Sequence, residues 1–504
     1  MNRKHIGLLV GIIVALVFVM QGAAAAAPLP QAQLLATRIS GTLNIVSGDR
    51  EGLAGAPVEQ FSVVDATGNS TTLLIDPELR DLMDLYRLSG TQVVVTGSPI
   101  NDSRSLDGSM VGEAATIQVS AIEPGPDSRD AEATPVTGNT KWVSIACKFA
   151  DIADEPQPLS YFQNMYANSF PGLDAYWREA SYDNINLIGS SAVGWFTLPK
   201  PMSAYQIDAD TIRFNDLLAD CAAAADAQVN FDEYMGINLM LNGNPGCCAW
   251  GGNRTLTLDG VYRTWSVTWL PPWSYEDLGY IQHEMTHAYG ILWHSYAGDN
   301  AYGDPWDVVS NATNYGPGNN DPTYGSIGQH TQAYHRRYLG WLPEDRVLTV
   351  GEGETTVTLE RTTQPGPTGY LMAAIPLGSP YHYYAIEARQ RVGYDSFLKG
   401  DSITIHEILG DHYEVELKDP FTVGTNHGGY VWKVGDTWVA PKGGITVHVD
   451  AETATGFTVT IRTGLESRTM TLPATADSYI DAVSPATNFG SSTILNTRAA
   501  YDPF

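Results

Sequence analysis

A chain of 504 residues is too long for one core and points to about three domains. Hydrophobic residues make up 43% and aromatic residues 10%, which is material for several cores. A formal charge of −28 argues against nucleic acid or an anionic membrane as partner.

Taken from the start, Arg3-Lys4 lead an apolar run from Ile6 to Met20, followed by small residues from Ala23 to Ala27. That order reads as a signal peptide over residues 1–27 and predicts secretion, with no stable membrane insertion after cleavage. An uncleaved anchor is the competing reading, because the alanines lengthen the apolar run. Residues 28–123 alternate apolar and polar in short runs such as Glu59–Val64 and Thr91–Thr96, with a helical insertion over Pro77 to Tyr86. Three strands, a helix and two strands predict an OB-like β-barrel, serving as a propiece or an accessory domain. No aromatic-plus-basic groove accompanies it, so no nucleic-acid partner is expected.

Residues 124–141 are rich in Pro, Asp, Glu, Gly and Thr and read as a linker with a maturation site. Residues 142–345 then read as an α/β domain. Strands are expected near Val143–Phe149, Ile185–Leu187, Gly194–Leu198 and Ile237–Leu241. Helices are expected over Leu159 to Ala180, interrupted at Pro171-Gly172, and over Asp210 to Asp226. Residues 346–464 return to strands, at Thr355–Leu359, Tyr383–Arg389, Ile403–Ile408 and Ile445–Val449, and predict a β-sandwich. Residues 465–504 begin another β-rich unit too short to bury a core alone. The fold class is therefore multidomain α+β.

One segment of the α/β domain carries chemistry: His283-Glu284-Met285-Thr286-His287-Ala288-Tyr289-Gly290, then His294. Ser274 and Asp277 form a capping-box start, so a helix is expected from there. Leu278, Ile281, Met285 and Ala288 fall on one apolar face, and His283 and His287 project together from another. Two imidazoles one turn apart can bind one Zn²⁺, with Glu284 beside them as general base. Gly290 would end the helix and turn the chain so that His294 completes the ligand set. Should His294 miss, Asp299 or Asp304 is the fallback ligand. Thr264–Trp269, just before the helix, is either a rim to which an extended substrate adds as a strand or an ordinary core strand.

The four cysteines are Cys147, Cys221, Cys247 and Cys248. A Cys247–Cys248 bridge is the disfavoured pairing, with Cys221 the natural partner of one of them. None of the four precedes Cys147, so the N-terminal segment has no thiolate to offer a metal. Asp299, Asp304, Asp307 and Asp321, with Asn319 and Asn320, crowd a Gly-rich loop. Ca²⁺ is a second candidate cofactor there, although no EF-hand-like order appears and a solvated loop is the simpler reading. His330, His335, His406, His412, His427 and His448 lack ligand spacing and read as packing or surface residues.

Resemblance adds to this. Asp174-Ala175-Tyr176-Trp177-Arg178-Glu179-Ala180-Ser181-Tyr182, Gly194-Trp195-Phe196-Thr197-Leu198-Pro199, Tyr302-Gly303-Asp304-Pro305-Trp306-Asp307-Val308-Val309 and Leu339-Gly340-Trp341-Leu342 look like the gametolysin-like metzincin peptidases. They are also similar to the related immune-inhibitor-A peptidases. The Tyr384–Ser396 segment resembles the β-rich region that follows their catalytic domain. The metzincin pattern H-E-x-x-H-x-x-G-x-x-H places its last histidine at Trp293, one residue before His294. The methionine that floors the family's site falls at Val309, an apolar but shorter side chain. Ala476-Asp477-Ser478-Tyr479-Ile480-Asp481 with Thr487-Asn488-Phe489-Gly490-Ser491 is similar to the start of a DNRLRE-type domain, which implies an extracellular carbohydrate or cell surface as partner. The resemblance implies a secreted zinc endopeptidase acting on protein or peptide substrates. The two departures leave open a degenerate adhesion or surface-binding protein that keeps the fold.

Overall fold

A computed structural model describes residues 36–81, 85–100, 116–126, 135–312, 320–379, 381–410, 412–415, 431–441 and 444–464. The signal-peptide and DNRLRE readings, Asn319 and His427 lie outside the described residues.

The N-terminal region is a closed five-stranded barrel. Its strands are β1 (Thr37–Arg50), β2 (Val58–Val64), β3 (Ser70–Leu74), β4 (Gln92–Ile100) and β5 (Thr116–Pro124), with a short helix α1 (Pro77–Asp81) after β3. The circuit runs β1–β2–β3–β5–β4–β1, antiparallel except for the β3–β5 pair. Alternation puts Leu43, Ile45, Phe61, Val63, Leu73, Val93, Val95 and Val119 inside. Closure removes the free edges such a small sheet would otherwise carry.

The α/β region contains β6 (Gly138–Asn139), β7 (Trp142–Lys148), α2 (Leu159–Asn164), α3 (Leu173–Ala180), β8 (Ile185–Asn186), β9 (Ser191–Thr197) and α4 (Phe214–Ala225). It continues with β10 (Gly236–Leu241), β11 (Cys248–Leu258), β12 (Val261–Leu270), a helical turn α5 (Pro272–Tyr275) and α6 (Leu278–Ala288). Its sheet runs β11-β12-β10-β7-β9, parallel except for β11, which returns antiparallel on β12. β7 and β10 are buried on both faces, as expected of central parallel strands: Val143, Ile145, Ile237 and Leu239 meet α4 on one side, Trp142 and Met240 the core of α6 on the other.

Cys147 bridges Cys221, joining β7 to α4, and Cys247 bridges Cys248. The disfavoured vicinal pairing is therefore the one present. With Cys221 taken by Cys147, Cys247 and Cys248 are left to pair with each other.

Past short strands β13 (Ser295–Tyr296), β14 (Asn320–Asp321) and β15 (Gly325–Ser326), and helix α7 (Ala333–Tyr338), the chain forms two further sheets. One contains β16 (Val347–Thr349), β18 (Met372–Ser379), β19 (His382–Arg389), β20 (Ser402–Leu409) and β21 (His412–Val415), with β13 at its edge. The other contains β17 (Gly353–Glu360), β22 (Thr437–Val439), β23 (Thr446–Thr453) and β24 (Gly456–Thr463). Leu359, Val459 and Ile461 of the second share one apolar core with Ile375, Ile386 and Ile405 of the first.

Two features position the site. The first half of β1 pairs with β4, while its last five residues, Val46–Arg50, lie antiparallel to β11 at Gly252–Cys248. One strand thus joins the barrel to the sheet of the α/β region. The second is α6 itself, buried along its whole length. It begins at Leu278 rather than Ser274: the Ser274 hydroxyl donates to the Pro271 carbonyl, and Asp277 Oδ1 accepts from the amide of Ser326 instead of capping the helix.

Candidate metal centre

α6 carries His283, Glu284 and His287 on neighbouring turns, and Gly290 follows its last turn with φ of 117°. A left-handed glycine there lets the chain reverse at once. The amide of Ile291 bonds back to the carbonyl of Thr286, and three residues later His294 arrives beside the other two rings. Ring centroids are 4.7 Å apart for His283 and His287, 5.3 Å for His283 and His294, and 4.9 Å for His287 and His294. The extra residue before His294 is absorbed in this bend. Asp299 and Asp304, the fallback ligands, stay apart: Asp299 is exposed, and Asp304 pairs with His406 at 2.9 Å.

The carboxylate that does enter the cluster is Asp49, 245 residues before His294, at the end of β1. Its Oδ1 accepts from His294 Nε2 at 2.9 Å and from the Tyr302 hydroxyl at 2.6 Å. Its Oδ2 lies 3.1 Å from His283 Nε2 and 3.5 Å from His287 Nε2, yet aligns with neither for a hydrogen bond. The four ligand atoms lie within 4.8 Å of one another. Among the described residues no other group of three or more His, Cys, Asp or Glu side chains converges in this way. Nothing in Ser47-Gly48-Asp49-Arg50 marks Asp49 in the sequence. Tyr302 was visible only as part of a resembling segment.

The donor set fits a divalent cation. His283 Nδ1–H donates to the Val308 carbonyl at 2.7 Å and His287 Nδ1–H to the Ile291 carbonyl at 2.6 Å. A carbonyl only accepts, so each Nδ1 carries a proton and each ring turns its Nε2, the nitrogen left to bind a metal, inward. Those two nitrogens stand 3.1 Å apart. A cation between them would take both as ligands, with the carbonyls behind fixing the ring orientation. Ligands about 2.0–2.1 Å from a tetrahedral zinc are separated from one another by about 3.3 Å, close to what is seen here.

Burial, which disfavours the imidazolium, lowers His287 to about 4, so its ring is neutral at neutral pH. Burial alone would raise the Asp49 carboxyl, but the His294 and His283 rings beside it hold it well below the usual range. Glu284 is fully buried, and among the described residues neither carboxylate oxygen has a hydrogen-bond partner. Burial first, and the charge of Asp49 second, push it well above the ordinary carboxylate range.

Val309 is fully buried in the core cluster that also holds Met285, Ala288 and Ile291. It follows the residue whose carbonyl orients His283, on a turn closed by Asn311 N bonding to the Asp307 carbonyl at 2.9 Å. Thr264–Trp269 forms no rim. It lies in β12, paired on both sides by β11 and β10, so the outer strand of the catalytic sheet is β11. The acidic loop is not uniformly solvated either. Asp304 and Asp307 are fully buried and bonded to histidines, and Asp321 caps its own turn at Thr323 and Tyr324. His330, His335 and His406 are likewise buried, each with a ring nitrogen 2.9 Å from a carboxylate oxygen, of Glu179, Asp307 and Asp304 respectively.

The profile of a family described as Gametolysin peptidase M11 matches residues 144–340. That span holds β7 through α7, including all three histidines and Glu284 but not Asp49. No curated protein matches the chain. Residues 144–340 form a gametolysin-like peptidase domain of the metzincin kind, and this match with the His/Asp cluster supports a zinc metalloendopeptidase.

Proposed function

We propose that the protein is a secreted zinc-dependent endopeptidase in which His283, His287 and His294 hold the metal and Glu284 is the general base. The observation that carries this reading is the pair of inward-turned Nε2 atoms 3.1 Å apart on α6, beside a buried carboxylate with no hydrogen-bond partner among the described residues. When bound, zinc supplies Lewis acidity that polarises a peptide carbonyl and acidifies water. Glu284 takes the proton of the attacking water on a free Oε and passes it to the departing amine as the C–N bond breaks. Desolvation raises its proton affinity above that of an ordinary carboxylate. The carbonyls of Val308 and Ile291 keep His283 and His287 in the ligating tautomer. Val309 supports the turn below the rings in place of a longer apolar side chain.

Around this centre, the strand circuit of residues 28–123 favours an OB-like barrel, residues 124–141 act as the linker, and residues 142–345 are the catalytic domain. Residues 346–464 read as a β-sandwich, since their two sheets share one core. Among the described residues no helix is long and apolar enough to cross a membrane.

The test pairs metal analysis with casein or gelatin hydrolysis, on the intact chain and on chain trimmed within residues 124–141. One zinc per chain and chelator-sensitive cleavage that Glu284→Ala abolishes are expected. Zinc without cleavage of any protein, before or after trimming, would instead favour a surface-binding protein that has kept the fold.

A further inference from the structure

We infer that the barrel is a built-in inhibitor, with the stretch from Val46 to Leu53 lying across the metal centre, Asp49 as the metal's fourth ligand, and the chain latent until that stretch is withdrawn. This inference rests on the peptidase reading of the same site.

Four observations converge. First, a hydrolytic zinc needs an open position, and Asp49 fills the place facing all three imidazoles. Second, β11 is the outer strand of the catalytic sheet, and Val46–Arg50 already pair with its outer side at Gly252–Cys248. An extended peptide seeking that edge finds it taken. Gly48 lies so close that a Cβ there would meet the Trp250 ring at 2.2 Å, so the strand is fitted to its seat.

Third, the chain beyond Asp49 is pinned to the same cleft. The Gly52 amide donates to the Tyr280 hydroxyl at 3.0 Å, and Leu53 packs with Tyr280, Tyr302 and Ala312. Gly52 and Leu53 both have positive φ, 70° and 52°, a turn that a leucine rarely adopts without outside support.

Fourth, the seam is not built like a permanent core. Arg254 of β11 is buried under the barrel, yet among the described residues it makes no ion pair with a carboxylate. It donates to the Ser62 hydroxyl at 3.2 Å, lies over the Phe214 ring, and leaves Nε without a partner. Burying a guanidinium without a counter-charge is costly, and withdrawal of the barrel would return it to water. An interface that closes the site while retaining an uncompensated charge is suited to release.

The experiment uses the full chain loaded with Co²⁺ or Zn²⁺ in three forms: unaltered, Asp49→Ala, and with a specific protease site inserted between Pro126 and Pro135 and then cut. The visible spectrum of the Co²⁺ forms is read while acetohydroxamate is added, and the Zn²⁺ forms are assayed on casein. The unaltered chain should keep its spectrum and hydrolyse slowly. The cut chain and Asp49→Ala should change spectrum, with hydrolysis at least about tenfold faster. Asp49→Asn, which keeps the shape of the side chain, gives the same reading should Asp49→Ala fail to fold. A spectrum of the unaltered chain that responds to acetohydroxamate as fully as that of the cut chain overturns the inference. Spectra that open as expected while no form cleaves protein leave the occlusion standing and sink the peptidase reading alone.

Discussion

Two buried ionic clusters lie within this molecule, and they treat their charges in opposite ways. Around Arg389 the guanidinium and the carboxylates it faces are all answered. Its guanidinium donates to Asp395 through Nε at 3.0 Å and Nη2 at 2.7 Å, and to the carbonyls of Trp306 and His330 at 2.6 and 3.2 Å. Asp395 also accepts from the His330 amide and the Thr363 hydroxyl. Nearby, Asp307 accepts from Ser295, Thr331 and the His335 ring, while the Trp293 indole donates to His335 Nε2 at 3.0 Å. Around His283 and His287, by contrast, two Nε2 atoms face each other and, among the described residues, three carboxylate oxygens, Asp49 Oδ2 and both of Glu284, have no hydrogen-bond partner.

The difference separates structure from function. A network whose charges are matched joins the catalytic domain to the β-rich region. An open one retains an energetic debt that a cation can discharge, and that need is how a metal centre announces itself without the metal.

Changes in the two clusters should therefore have different consequences. The largest expected effect is Glu284→Gln in the processed chain: casein hydrolysis should fall by at least about 100-fold while zinc content and melting temperature hold. Loss of folding along with activity would mean that Glu284 belongs to the structural kind of cluster. Next comes Arg389→Met, which strands Asp395 and should lower unfolding free energy by about 3–5 kcal/mol in urea denaturation. Zinc bound per folded chain should be unaltered.

Acid should also act on the closed cluster. Burial opposes ionisation of Asp395, but Arg389 and His330 bring it down from 3.8 to about 2. A carboxyl depressed on folding contributes its stabilisation above the unfolded value, and that contribution is lost as pH falls through the folded value. Melting temperature should therefore decline between about pH 4 and pH 2, on the order of 2 kcal/mol being at stake. In Asp395→Asn that portion of the decline should vanish. The smallest effect is expected from Trp293→Phe, which removes one indole hydrogen bond to His335 and should cost about 1 kcal/mol by thermal denaturation, with zinc affinity unchanged.

Much of the catalytic domain was legible in the residues. The period of α6, the glycine after it and the four-residue histidine spacing are local properties, so His283, Glu284 and His287 could be placed on one helix from sequence. His294 was within reach because it lies so few residues past Gly290. The strands at Val143–Phe149 and Ile237–Leu241 were legible as continuous apolar runs. Other features were not. The acids at 304 and 307 look like any loop carboxylates until His406 and His335 arrive from elements far along the chain. Thr264–Trp269 reads equally well as an edge or as an inner strand, because alternation says nothing of what pairs outside it.

By itself, then, the order of amino acids determined which helix would present a pair of histidines one turn apart, where that helix would stop, and which carboxylate would stand beside them. These follow from contacts within one or two turns. Only tertiary structure decided that Asp49 would face the three imidazoles, that β1 would cover the outer strand of the sheet, and that Arg254 would lie buried without a counter-charge. The reason is physical. A helix is closed by hydrogen bonds four residues apart, whereas the partner that fills a coordination position or a sheet edge is chosen in space, and the sequence between the two carries no signal of the meeting.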